Sequence, residues 1–238
     1  MSGWLLAVSC WPLAVKGMMD DVRDKIKEIK QSFRQMMDGS IAQSMRDKGL
    51  NYHLNWGATL PRLQEMAKEI ANSQTPIANS QTPIANSQYD LAIALWKENV
   101  RECKILATML MPADQILPEV VDIWMEQIPS QEIAEQAAFN LWQYLPFAPE
   151  KAYQWMASDK EYDQLCGFHV LTRLFMNHQE PNARGINEYL DQLLVALQGP
   201  YPSVRKAAMQ SAYRFAELGL VYERLVKSAV KSINLDIF

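Results

Sequence analysis

Three cysteines, three histidines and nine glycines are all that 238 residues offer of the side chains and turns that compact active sites favour. Cys10, Cys103 and Cys166 form an odd, scattered set without CxxC spacing. That excludes a disulfide framework and a cysteine zinc site, and it fits the reducing cytoplasm, the expected compartment. His53, His169 and His178 give no metal or catalytic-triad spacing, so no metal is expected. With no glycine-rich phosphate loop and no GxSxG elbow, no cofactor is expected either. Positive charge is also in short supply: 23 Lys and Arg stand against 27 Asp and Glu, a net charge of -4. A generally basic nucleic-acid binder is excluded, but a local basic patch is not.

Long apolar runs are missing as well. The strongest, residues 4–15, is too short to cross a bilayer, and no Lys or Arg precedes it as a signal peptide would require. No membrane association is expected. Residues 1–17 read as a non-native or disordered N-terminal extension, with the true start at Met18 or Met19. Period-two alternation of strand-forming residues is absent throughout, which excludes sandwiches, barrels and wound sheets.

What is abundant is helix-forming sequence, rich in Ala, Leu, Met, Gln, Glu and Lys. From Asp20 an apolar stripe runs through Ile26, Ile29, Phe33 and Met36 or Met37 at steps of three and four. A basic stripe of Arg23, Lys27, Lys30 and Arg34 shares the spacing and reads as a solvated helix face. Punctuation then divides the chain into helices over about 60–70, 89–97, 100–111, 115–127, 130–144, 149–157, 160–176, 187–197, 203–218 and 222–233. Their boundaries fall at Pro112, Pro129, Pro146, Gly199-Pro200 and Gly219. Helices of three to four turns with short connectors predict an all-α, HEAT-like α-solenoid, a superhelical array of antiparallel helix pairs, over residues 18–238.

One stretch departs from this pattern. IANSQTPIANSQTPIANSQ, at 70–88, writes a seven-residue unit twice and begins it again. Pro76 and Pro83, with Asn, Ser, Gln and Thr between them, exclude a heptad zipper. The segment reads as a tandem-repeat loop insertion, tolerated because doubling a flexible loop costs only about 0.6 kcal/mol.

Residues 52–110 carry YHLNWGATLPRLQEMAKEIA and LAIALWKENVRECKILATML, and IAEQAAFNLW follows downstream. With Gly57, Pro61-Arg62, Ala67-Lys68, Leu95-Trp96 and Arg101-Glu102, these segments resemble the bacterial DNA alkylation repair family, the AlkD-like HEAT-repeat DNA glycosylases. The resemblance covers roughly residues 18–235. It implies a helical stack that cradles duplex DNA and releases positively charged N-alkylated purines. It also implies a site with an aspartate, two tryptophans and an arginine. A carboxylate there stabilises the charge that develops on the sugar, and indole faces stack on the lesion. At the matching positions this chain has Gln136 for the aspartate, Leu165 for the arginine and Gln210 for one tryptophan. The other tryptophan is missing as well, so the whole excision set is absent. If the protein is an enzyme, it is a DNA N-glycosylase for alkylated purines.

Glu132 and Glu135, one helical turn apart, are the carboxylates available to replace the aspartate, and Asp163 is a weaker one. Ordinary helix-dipole complementation explains all three equally. Arg101-Glu102 reads as a buried ion pair tying neighbouring repeats together, and Trp96, Trp124, Trp142 and Trp155 read as core. Residues 112–163 hold ten acidic residues against two basic, whereas residues 203–231 hold six basic against two acidic. The candidate phosphate-binding rim is therefore Arg205, Lys206, Arg214, Arg224, Lys227 and Lys231, with Arg62, Lys68 and Lys104 as further contributors. The expected partner is duplex DNA, bound by a monomer through its phosphates. The competing reading is a protein-binding helical scaffold that has lost the DNA role.

Overall fold

A computed structural model describes the backbone of residues 7–73 and 87–234, and the side chains of residues 20–73 and 88–234. The described residues form α-helices and one 3-10 turn, in two compact units, Met1–Pro112 and Ala113–Phe238. Most of the repeat at 70–88 falls outside the described residues.

The first unit contains α1 (Ala7–Gln35), α2 (Gly39–Asp47), α3 (Leu60–Ser73), α4 (Ser87–Lys97) and α5 (Arg101–Leu110). Helix α5 packs on α3 and α4, and α1 packs on α4. Nearly every residue of α5 is buried, including Arg101, Glu102 and Lys104. A helix buried all round must satisfy its polar groups internally. Glu102 does so with one oxygen only: Oε1 accepts from the backbone N–H groups of Trp56 at 3.1 Å and Ala58 at 3.2 Å, while Oε2 is buried without a hydrogen-bond partner. Arg101 Nη1 lies 3.3 Å from the same oxygen and donates to the Ala58 carbonyl at 2.9 Å. The expected ion pair is present, and its work is to clamp the segment before α3 onto α5.

Gly57 explains why that segment has room to do this. Its φ of +75° lies in the left-handed region, and a Cβ there would stand 2.1 Å from the Asp38 carbonyl oxygen. The same turn lets Trp56 accept a backbone hydrogen bond from Asp38 at 3.0 Å, while the Asp38 carboxylate caps α2 through the amides of Ser40 and Ile41.

The basic stripe of α1 is solvated, as its spacing suggested, and its members are occupied. Lys27 pairs with Asp24 at 2.7 Å, Lys30 with Glu98 at 2.6 Å, and Arg34 lies over Trp56. The N-terminal helix starts earlier than expected, and one helix is additional. Helix α1 begins at Ala7 rather than near Asp20, so residues 7–17 are helical, Pro12 included. Helix α2 had no counterpart in the sequence reading.

The second unit contains α6 (Pro118–Glu126), α7 (Gln131–Asn140), a 3-10 turn at Trp142–Tyr144, α8 (Ala148–Met156), α9 (Glu161–Met176), α10 (Ala183–Gln198), α11 (Pro202–Ala216) and α12 (Leu220–Lys231). The helix expected over 130–144 stops at Asn140, where Leu141 leaves the helical region and the 3-10 turn follows. Asn182 caps α10 four residues earlier than expected by accepting from the Gly185 amide.

Helix α9 is the centre of this unit and packs on α7, α8 and α11. Gly167 sets how near α8 comes: a Cβ there would lie 2.6 Å from the Met156 amide nitrogen and 2.8 Å from the Ala152 carbonyl. On the other side, Phe175, Tyr189, Phe215 and Tyr222 form an aromatic cluster with ring centroids 4.6 to 5.3 Å apart. The Tyr189 hydroxyl donates to Ser211 Oγ at 3.0 Å, which satisfies the two buried hydroxyls together. Trp96, Trp124, Trp142 and Trp155 are all buried, so the tryptophans do form core.

Candidate nucleic-acid interface

The candidate residues are divided between the two units. In the first, Arg62 and Lys68 are exposed on α3, six residues apart and therefore on different helix faces. Arg62 borders a small cleft with Asp38, Gly57 and Thr59, where its charge helps hold the Asp38 carboxyl below the usual range, after the larger effect of the Ser40 and Ile41 hydrogen bonds. Lys104 is not a surface residue. It is buried on α5, its Nζ donates to the Trp96 carbonyl at 2.9 Å, and it sits 4.5 Å from the Trp96 ring centroid. Burial lowers its pKa, and its charge is spent inside the fold, so it is withdrawn from the phosphate rim.

In the second unit, Lys206, Arg224 and Lys231 are exposed and make no ion pair with a described residue. Lys227 pairs with Glu223 and Arg214 with Glu217, each at 2.6 Å and each solvent-exposed enough for a phosphate to compete. Arg205 is partly committed to the chain, donating to the Gly199 carbonyl at 2.6 Å across the α10–α11 turn. Arg224, Lys227 and Lys231 follow one another at steps of three and four along α12. Lys206 begins a stripe on α11 that continues through Gln210, Tyr213, Arg214 and Glu217.

That α11 stripe forms one wall of a groove of about 510 Å³ whose other walls are α7 and α9. Phe139 comes from α7. His169, Thr172, Arg173 and Met176 come from α9, and Gln210, Tyr213, Arg214 and Glu217 from α11. The Arg173 guanidinium lies 4.6 Å from the Phe139 ring centroid, and His169 meets the same ring edge-on at 4.9 Å. His169 is only 7% exposed, and its Nε2 has no hydrogen-bond partner in the protein. The Thr172 hydroxyl donates its proton to the Phe168 carbonyl and remains an acceptor only. Glu217, the one carboxylate lining the groove, is held by Arg214.

Burial, and secondarily the charges of Arg173 and Lys206, lowers the His169 pKa to about 4. The imidazole is therefore neutral in the folded chain at neutral pH. The consequence for stability has a definite sign. Above about pH 6.5 the ring is neutral in both folded and unfolded chains, so it contributes no pH dependence. Below that the unfolded chain takes up the proton first, and stability falls until the folded ring titrates near pH 4. Between pH 7 and pH 4.5 this group alone should remove about 2–3 kcal/mol. Urea unfolding of the parent and of His169→Gln at both pH values measures it: the variant should lose that much less on acidification.

Glu132 and Glu135, the carboxylates nominated to replace the family aspartate, do not line the groove. They lie in the first two turns of α7, where Glu135 accepts from Gln131 Nε2 at 2.8 Å. Asp163, at the start of α9, accepts from Ser158 at 2.8 Å and has its carboxyl raised by burial; it locks the α8–α9 turn. Gln136 bonds with Asn140, and Leu165 is core. The groove's arginine on α9 is Arg173, two turns beyond Leu165, and its aromatic on α11 is Tyr213, one turn beyond Gln210. Sequence reading missed Phe139, His169, Arg173 and Tyr213. A signal for them existed in polar residues at steps of three and four on otherwise apolar helices, His169–Arg173 and Gln210–Tyr213–Glu217.

The two cysteines among the described side chains are buried, and burial pushes the Cys103 thiol to about 12 and the Cys166 thiol well above its usual value. Neither is a nucleophile. Among the described residues no cluster of His, Cys, Asp and Glu is arranged to hold a metal, and no helix is long and apolar enough to span a membrane.

Comparison with known proteins gives two findings. Residues 29–215 match the protein-family model described as DNA alkylation repair enzyme. The fold is similar to a solved structure described as a new family of proteins related to the HEAT-like repeat DNA glycosylases with affinity for branched DNA structures. The TM-score is 0.68 at 15% identity, covering 86% of this chain and 80% of the other. No curated protein matches the sequence.

Proposed function

Because the chain belongs to the DNA alkylation repair enzyme family, we propose that it binds DNA through its phosphates without excising bases. The observation that carries this reading is the charge arrangement of the second unit. Lys206, Arg224, Lys227 and Lys231 are exposed and Arg214 half-buried on α11 and α12, while the groove lined by α11 has no carboxylate free of an ion pair. Cleaving an N-glycosidic bond builds positive charge on the sugar, which an unpaired carboxylate would stabilise. Arg173, Arg214 and Lys206 around that groove oppose such charge and favour an anion instead.

The structural relative's affinity for branched DNA supports a preference for branched or distorted DNA over regular duplex. Cations spread along two helices suit a backbone that changes direction, because phosphate contacts position a protein without reading sequence. The test uses the full chain with plain, branched and N-methylated duplex DNA at low salt. Retention of all three, tightest for the branched one, with no release of 7-methylguanine or 3-methyladenine, is expected. Release of either purine would overturn the non-excising part. Failure to retain any DNA would overturn the reading as a whole.

A further inference from the structure

We propose that the groove between α7, α9 and α11 holds one unpaired nucleobase of the bound DNA. The inference rests on the DNA-binding reading and names what that site recognises. Its size suits a single nucleotide, since about 510 Å³ falls within the range of small-ligand pockets. Its chemistry suits a base better than a phosphate alone. Arg173 over the Phe139 ring gives the groove a cationic aromatic wall, and Tyr213, 42% exposed, offers a second aromatic surface. Every base has a π-face for such surfaces, and stacking on an aromatic side chain is worth about ten- to hundredfold in affinity per base. The exposed Gln210 amide supplies a donor and an acceptor side by side, a pair that matches the edge of a base.

His169 lines the same wall: its ring meets Phe139 edge-on, and its Nε2 is buried away from solvent without a hydrogen-bond partner, which is costly in the free protein. The α11 cations follow the same logic. Arg214, one residue from Tyr213, is placed to meet the phosphate of a nucleotide whose base lies in the groove, exchanging Glu217 for it. A paired base reaches such a groove only by leaving its stack, whereas an unpaired one has already lost that stabilisation. The groove therefore gives a physical cause for favouring branch points and bulges over regular duplex.

The experiment compares three DNAs at one salt concentration. One is a duplex with a single-nucleotide bulge carrying 2-aminopurine, one has the same bulge without a base, and one is the fully paired duplex. The full chain should bind the base-bearing bulge about tenfold more tightly than the abasic one, with quenching of the 2-aminopurine fluorescence. Tyr213→Ala and Gln210→Ala, both at exposed positions, should bring that ratio close to one, and His169→Gln should lower it. If His169→Gln fails to fold, the two exposed variants still decide the question. A ratio of one in the parent protein, with duplex binding intact, overturns the groove inference and leaves the phosphate-binding reading standing. Loss of binding to all three DNAs overturns the reading beneath it.

Discussion

Glu102→Ala is expected to lower the unfolding free energy by about 3–5 kcal/mol, the range for removing one partner of a buried ion pair. Glu102 is fully buried, and one of its oxygens serves Arg101 and the amides of Trp56 and Ala58 together. Alanine would remove the carboxylate beside the buried guanidinium and strip two backbone donors of their acceptor. Those donors flank Gly57, whose backbone conformation brings the segment against α2, so the damage spreads from α5 to the α2 capping turn. Glu102→Gln keeps an acceptor for the amides but not the charge, and should fall between the parent and the alanine variant. Urea unfolding midpoints measure both effects. A loss under about 1 kcal/mol for the alanine variant would show that the pair is not the clamp described here.

The second large effect is on binding. Reversing Lys206, Arg224 and Lys231 to glutamate together should weaken DNA affinity by about a hundredfold or more near 0.1 M salt, because each phosphate contact carries a counterion-release contribution. All three are exposed and make no ion pair with a described residue, so the melting temperature should stay near that of the parent. Retained affinity with an unchanged melting temperature would place the DNA elsewhere on the protein.

Much of the fold was written in punctuation. Pro112, Pro129, Pro146, Gly199-Pro200 and Gly219 each fall where a helix ends or the next begins, because proline removes a donor and glycine relaxes the backbone. Helix α2 escaped because its only buried residue is Ala42, leaving no apolar stripe; it depends on the Asp38 cap instead. The break after Asn140 escaped for the opposite reason, since the apolar pattern runs on through Leu141 and Trp142 into the 3-10 turn. Lys104 was misplaced because a lysine is ordinarily exposed, and only the packing of α5 shows the Trp96 carbonyl waiting for its ammonium. The groove was least legible of all. It is assembled from three helices separated by some thirty to forty residues, and His169 alone on an apolar helix gives no motif. The family resemblance led to those helices but one or two turns away from the side chains that meet.

The central claim, that exposed cations of the second unit bind DNA phosphates, is tested most directly by the salt dependence of the affinity for branched DNA. The exposed Lys206, Arg224, Lys227 and Lys231, with the half-buried Arg214, predict a slope of log K against log salt of about -3 to -5, at roughly 0.9 per phosphate contacted. Affinity that does not change with salt, or no binding at 50 mM salt, would contradict the account.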